Sequence, residues 1–352
     1  MSKVSIIKCD SYDSDIVYQA LVTACERADF PAVEGKKVLI KPNILSDSPS
    51  EKAITTNPEI LRAMIRYVKS KGAATIVVGD SPALHKPGLK PTKSGLYQIC
   101  EEEDVEWVSF LKGSLKVKLP ILGKKITLTD TLNDIDLLIS LPKFKTHELM
   151  ITTGALKNQF GLVPGFHKSP QHVKYPRRVD FAKLVCGIHT QSKAAFALMD
   201  AVVGMEGAGP GNGTPKKVGV LIASHDLLAV DIAQATIMGH NPMDIPVIKC
   251  GILNKISDTN KFEDMEYTDI DANDIIIKDY KRIDPNKKNK TGDRVKPTFI
   301  HEKCIRCRKC IDICPASALS MVDKKIVLNE DKCVMCYCCH EVCPAEAIEI
   351  RN

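Results

Sequence analysis

Residues 38–81 read VLIKPNILSDSPSEKAITTNPEILRAMIRYVKSKGAATIVVGDS. The reading of this stretch decides the fold of most of the chain. VLIKPN (38–43) and TIVVGDS (75–81) are short runs of branched and aliphatic residues, as buried parallel strands are. A helix lies between them. Asn57 can cap it, Pro58 fits its first turn and Gly72 stops it, while Ile60, Leu61, Met64, Ile65 and Val68 make one apolar face.

The same alternation continues outward. VSIIKC (4–9), LLISLPK (137–143), FALMDAVVG (196–204) and VGVLIAS (218–224) read as further strands, and DLLAVDIAQATIMG (226–239) as another helix. Residues 115–129 look like a hairpin with Gly123 at its turn. The pattern predicts an α/β fold, an open and mainly parallel sheet with helices on both faces.

Polar residues close each strand: Lys41 and Asn43, Asp80 and Ser81, Lys143 to His147, Asp200, and Ser224 to Asp226. Ligands of open α/β sheets bind beyond the carboxyl ends of the strands. Any loop needs polar residues, but their convergence on one edge predicts a pocket. The segment LPKFKTHELMITTGALKNQFGLVPG (141–165) adds Lys145, His147, Lys157 and Asn158. Lysines suit carboxylate or phosphate, and a histidine can donate or accept a proton near neutrality. The plainer alternative is a helix carrying surface lysines.

EGAGPGNGTP (206–215) is a glycine loop between two strands, with Glu206, Gly209 and Gly211 as candidate ligand contacts. It is neither a dinucleotide fingerprint nor a P-loop, since Pro210 interrupts it and no Gly-Lys-Ser/Thr ends it. GFHKSPQHVKYPRR (165–178) reads as a Pro-broken, helix-poor basic segment, either a lid over an anion or a surface loop. Cys186 and His189 lack further ligands nearby in sequence and read as core. Cys9, Cys25, Cys100 and Cys250 read as small buried apolar residues.

The C-terminal part is different. CIRCRKCIDICP (304–315) and CVMCYCCHEVCP (333–344) are related by a constant offset of 29 residues. Each reads C-x2-C-x2-C-x3-C-P when Cys339 is the third cysteine of the second run. Cys338 then aligns with Lys309 and is off-pattern. In two-cluster ferredoxins the fourth cysteine of such a run ligates the other cluster. The spacing therefore assigns Cys304, Cys307, Cys310 and Cys343 to one [4Fe–4S] cluster, and Cys333, Cys336, Cys339 and Cys314 to the other. Structural zinc would use two pairs per site and leaves the four-plus-four pattern unexplained. If exposed, Cys338 would be an oxidation liability. The tail resembles the bacterial two-cluster ferredoxin module, a small α+β domain.

The chain has 352 residues and a formal charge of +6. Residues 278–296 hold eight Lys or Arg against three Asp, so nearly all the surplus sits there. This run reads as a solvated linker, with nucleic acid an unlikely partner because stacking aromatics other than Tyr280 are missing. The expected organisation is an α/β domain over 1–277, a basic linker over 278–297 and the ferredoxin-like domain over 298–352. No signal-peptide pattern and no apolar run of about 18 residues occur, which points to a reducing, anaerobic cytoplasm and no membrane.

KPN (41–43), TTNPE (55–59), GDSP (79–82), KTHELMITTGALKNQFG (145–161) and DAVVGMEGAGPGNGTP (200–215) occur in that order. On these segments, residues 3–250 resemble the domain-of-unknown-function family 362, whose members often carry a two-cluster ferredoxin module. The resemblance implies that the segments form a shared site and leaves the activity open.

Together these readings predict an iron–sulfur redox protein. It would relay low-potential electrons to an anionic substrate or cofactor, an additional metal being open. Lys41, Asn43, Ser81, Lys145, Asn158, Glu206, Gly209 and Gly211 would bind that ligand. His147, Lys157 and Asp80 would act on it. The alternative is a non-catalytic ferredoxin-type subunit docking on a partner enzyme. Either way a redox partner protein, a ferredoxin or an oxidoreductase, is expected.

Overall fold

The computed structural model describes residues 1–82, 90–110, 115–286 and 295–350. The chain begins with β1 (Ser2–Lys8), α1 (Ser14–Arg27), β2 (Lys37–Pro42), α2 (Pro58–Ser70), β3 (Thr75–Asp80), α3 (Leu96–Glu102) and β4 (Glu106–Ser109). A hairpin of β5 (Leu115–Leu119) and β6 (Lys124–Leu128) follows, as Gly123 foretold. Next come β7 (Leu137–Leu141), β8 (Lys143–His147), β9 (Ile151–Thr152), α4 (Gly154–Asn158), α5 (Gly165–Lys174) and α6 (Arg178–His189). The large part closes with β10 (Ala194–Glu206), β11 (Thr214–Ser224), α7 (Leu227–Ile237), α8 (Pro246–Asn254) and β12 (Met265–Tyr267).

Ten strands form one mixed sheet in the order β12-β1-β11-β10-β7-β2-β3-β4, with β8 on β10 and β9 on β8. The four neighbours β7, β2, β3 and β4 run parallel, and so does β10 beside β7. All six expected strands are present, and the expected class, a mainly parallel α/β sheet, is the observed one.

Side-chain alternation builds a core on each face. Val38, Ile40 and Val78 meet α1 and α2, whereas Leu39 and Val77 meet the layer of α4, α6 and α7. The apolar face of α2 lies wholly in the first core, capped at Asn57, whose side chain accepts from Glu59 N. Each large side chain buried there contributes about 1.5–3 kcal/mol over exposure.

The tail consists of β13 (Thr298–Phe299), α9 (Lys309–Ile313), β14 (Leu319–Val322), β15 (Lys325–Leu328), α10 (Cys338–Glu341) and β16 (Ile348–Glu349). β14 pairs with β15 and β13 with β16, both antiparallel. A small core of Leu319, Ile326 and Ile348 surrounds the cysteines. Of the basic run, residues 287–294 lie outside the described residues. In the described part Lys278, Asp279, Lys281, Arg282 and Asp284 are exposed, whereas Tyr280 is buried against Phe144 and donates to Met205 O (2.7 Å), and Ile283 and Val295 are buried.

Candidate functional site

Segment 141–165 is not a loop. Pro142 interrupts the strand, and the chain resumes as β8, a partner of the second half of β10. Strand geometry alternates Lys143, Lys145 and His147 with Phe144 and Thr146. Phe144 goes to the core, and the two lysines and the histidine share the other face. All three are buried. The helix expected as the plainer alternative is present as α4, and its Lys157 is half-buried at the cleft.

Lys143 is held in a closed pair. Its Nζ donates to Asp200 Oδ2 (2.7 Å) and to Tyr12 Oη (2.9 Å). Asp200 also accepts from Tyr12 Oη (2.8 Å) and Asn57 N (2.9 Å). Asp200 thus ties α1, α2 and β8 together and does not reach the cleft. Breaking such a buried pair costs about 3–5 kcal/mol.

Lys145 and His147 line a cleft of about 730 Å³, counted out to its mouth, together with Lys41, Asn43, Asp80, Ser81, Lys157 and Asn158. Lys41 Nζ pairs with Asp80 Oδ1 (2.9 Å) and donates to Asn158 Oδ1 (3.1 Å). Asp80 also accepts from Ile44 N and Ser81 N (2.9 and 2.7 Å). Asn158 accepts from Asn43 Nδ2 (3.1 Å) and donates to Ser140 Oγ (2.9 Å). These bonds lock the ends of β2, β3 and β7 to the turn after α4. Gly161 fits there because a Cβ would stand 2.3 Å from Asp80 Oδ1 and 2.5 Å from Lys41 Nζ.

Four polar atoms of the lining, Asn43 Oδ1, Ser81 Oγ, Thr153 Oγ1 and Glu341 Oε1, are buried without a hydrogen-bond partner among the described residues. Buried polar groups are normally hydrogen-bonded, so such exceptions need an explanation. A bound polar ligand supplies one.

Two further walls complete the cleft, and the first is the segment expected as a lid over an anion or a surface loop. α5 is a helix through Pro170, not a helix-poor lid. Its buried His172 stacks on Phe181 (ring centroids 4.6 Å apart, planes 16°) and fixes the helix against the core. Lys168, Ser169 and His172 face the cleft, and Lys168 Nζ donates to Ser81 O. The other wall is the tail: Ile313, Cys338, Glu341 and Val342. Cys338 is buried and hydrogen-bonded to Cys336, so it is not an exposed liability.

The glycine loop does something other than line this cleft. Only Pro210 reaches it. Glu206 accepts from Lys281 N (3.0 Å), and Gly209 packs on the Thr146 carbonyl. Asn212 Nδ2 donates to His340 O (2.8 Å), and a Cβ on Gly211 would meet Glu341 O at 2.8 Å. Gly211 and Asn212 therefore seat α10 of the tail.

Burial dominates the electrostatics. It pulls Lys145 well below its ordinary range, with Lys157 adding to the effect. Lys157 is also lowered by burial, against the pull of Glu341 and Cys338. Burial brings Lys168 down to about 7, opposed by Asp80. His147 is pushed well below its usual value by burial, then by Lys157 and Lys145, so it is neutral. Its Nδ1 accepts from Leu149 N (3.1 Å) and Met150 N (3.4 Å). The proton is thereby assigned to Nε2, 3.4 Å from Glu341 Oε1. Lys145, Lys157 and Lys168 share this space with one carboxylate beyond the Lys41–Asp80 pair, Glu341. A donor-rich cleft of this kind, whose buried lysines regain their protons beside a negative charge, fits an oxyanion.

In the tail, Cys304, Cys307, Cys310 and Cys343 line one cavity, and Cys314, Cys333, Cys336 and Cys339 line another. Each set takes three cysteines from one run and one from the other. Cys314 Sγ accepts from Ala318 N (3.2 Å), and Cys343 Sγ from Ala347 N (3.3 Å), in matching positions. Among the described residues, no three His, Cys, Asp or Glu side chains gather closely enough to hold a single ion. Four thiols spread round a cavity fit a cube of iron and sulfide better than one zinc.

Comparison with known proteins accords with this geometry. Residues 38–236 match the family model "Domain of unknown function (DUF362)", and residues 303–347 match a "4Fe-4S dicluster domain". The thylakoid-associated protein sll1697 of Synechocystis is 28% identical over 253 residues, 70% of this chain and 78% of that one. Among solved structures, the lactate racemase apoprotein of Thermoanaerobacterium thermosaccharolyticum is 16% identical. Its TM-score is 0.45, with 64% of this chain and 55% of that one covered. A Thermotoga maritima protein is 13% identical at TM-score 0.37, covering 61% and 56%. Scores at this level carry no argument. None of the described helices is long and apolar enough to cross a membrane. With its model matched over more than half the sequence, the chain belongs to the DUF362 family and ends in a ferredoxin-type 4Fe–4S electron-transfer domain.

Proposed function

We propose that the protein relays low-potential electrons through two [4Fe–4S] clusters toward an anionic substrate or cofactor held in the cleft. The observation that carries this reading is the shared wall. Cys338 touches both Cys336, one of the four thiols of a cluster cavity, and the space faced by Lys157 and Glu341. Bound clusters supply one-electron steps. The α/β residues do the rest. Lys145, Lys157 and Lys168 neutralise the anion. The His147 Nε2–H, Ser81, Asn43 and Thr153 offer hydrogen bonds. Asp80 positions Lys41, and Asn158 ties it to Asn43. Burial excludes water and strengthens each of these contacts.

Native mass spectrometry of chain purified without oxygen tests this. The expected result is eight irons and a small bound anion. The double variant Lys145→Met/Lys157→Met should lose the anion and keep the irons. Eight irons with no lysine-dependent anion, alongside a stoichiometric partner enzyme, would replace this reading with that of a non-catalytic ferredoxin-type subunit.

A further inference from the structure

The tail is a duplication, and its two halves are used differently. Applying the 29-residue offset, Ile305, Arg306, Arg308 and Lys309 of the first half match Val334, Met335, Tyr337 and Cys338 of the second. The backbone keeps the correspondence. Arg306 and Met335 have φ of 59° and 51°, and Arg308 and Tyr337 have φ of 64° and 63°. The two loops therefore share a backbone conformation, and Ile305 and Arg308 border one cysteine cavity as Val334 and Tyr337 border the other.

The second half spends this loop on the α/β domain. Tyr337 is buried in the main core and donates to Val295 O (2.9 Å), and Met335 packs on the same core. Cys338 is buried at the cleft. The first half leaves its face open. Ile305 is 64% exposed, and Lys303, Arg306, Cys307, Arg308 and Lys309 are all exposed. Neither Arg306 nor Arg308 enters an ion pair among the described residues. Glu302 and Asp312 flank the patch, leaving four cations against two carboxylates.

We infer that the open face around Arg306 and Arg308 is the docking surface for an acidic one-electron carrier protein. It is the intermolecular counterpart of the internal contact made by Met335 and Tyr337. The chemistry that has replaced those two side chains says which partner fits. Where the buried copy has Met and Tyr, the open copy has two guanidinium groups around one exposed apolar residue. Such a rim attracts a negatively charged surface and orients it before contact. Cys307, the exposed member of its cysteine set, lies between the two arginines in sequence, so a carrier seated there approaches the nearer cavity closely. The other cavity backs onto the core and the cleft. One electron passes per encounter: the carrier is oxidised by one, this chain is reduced by one, and no bond or proton changes hands. This inference rests on the relay reading above and adds the point and polarity of entry.

The test is stopped-flow reduction of the full, cluster-loaded chain. The donors are a photoreduced plant-type [2Fe–2S] ferredoxin, which is acidic, and dithionite, which needs no docking face. With Arg306→Glu/Arg308→Glu the ferredoxin rate at low salt should fall at least tenfold. The wild-type rate should drop as salt is raised, and the variant's should not. Dithionite rates should be equal in both proteins, and Arg306→Lys/Arg308→Lys should keep the wild-type behaviour. Reversal at the exposed pair Lys324 and Lys325, outside the Arg306/Arg308 loop, should change nothing. The inference is overturned if the arginine variant is reduced as fast as wild type, or if the Lys324/Lys325 reversal slows reduction equally. Failure of dithionite to reduce the wild-type chain would instead remove the relay reading, and the docking face with it.

Discussion

Lys168 gives the cleft part of its pH dependence, the other part coming from Glu341, whose carboxyl burial raises to about 7. Burial lowers the Lys168 ammonium pKa to about 7, so the charge is present below that pH and lost as pH rises through it. Anion affinity should therefore fall between pH 6 and 8.5. Sulfate is the suitable probe for calorimetry, because its own charge is constant over that range. Lys168→Met should bind more weakly at pH 6 and show a flatter profile, and an unchanged profile would take Lys168 out of the anion site. Cys338 is the other telling residue. Register against Lys309 marks it as off-pattern from sequence alone. Its burial between Cys336 and the cleft was not legible, because no spacing encodes which face of a four-residue helix meets another domain. Cys338→Ser should retain eight irons, whereas Cys339→Ser should lose a cluster. Loss of iron from the Cys338 variant would overturn the register.

At the scale of elements, the sequence was clearest where apolar residues repeat and least clear where polar ones do. β2, β3 and α2 follow from their branched runs and from Asn57, Pro58 and Gly72. β8 is not legible as a buried strand because Lys-Phe-Lys-Thr-His has the alternation of a strand with a charged face, and such a face normally meets water. Here it meets a cleft roofed by another part of the chain. α5 was missed because Pro170 argues against a helix, while the stacking of His172 on Phe181 is a tertiary contact. The 3-10 turn at Gln159–Leu162 depends on one small residue. Gly161→Ala should push the Lys41–Asp80 pair apart. The expected cost is about 3–5 kcal/mol, the figure for a broken buried pair, read by urea unfolding alongside loss of anion binding. A loss below 1 kcal/mol with binding intact would show that the pair shifts freely.

On the scale of the whole molecule, the tail and the α/β domain wall one cleft between them. A segment of about 55 residues is too small to hold a core unaided, and metal binding commonly supplies its folding free energy. Removing the clusters by chelation should therefore release amide-exchange protection across residues 298–350 and at Gly211 and Asn212, which seat α10. The strands β2, β3 and β7 should stay protected. A tail that remains protected without iron would mean that its own packing holds it. The sequence by itself determined the parallel α/β class, the two cysteine sets and the odd position of Cys338, because these rest on local periodicity and on spacing along the chain. Only the tertiary structure decided that Asp200 is sealed in a pair with Lys143, that the glycine loop seats the tail, and that Glu341 and Cys338 wall a lysine-rich cleft. Those facts depend on which surfaces meet across 57 or more residues of chain, and contact at that range leaves no period or spacing to read.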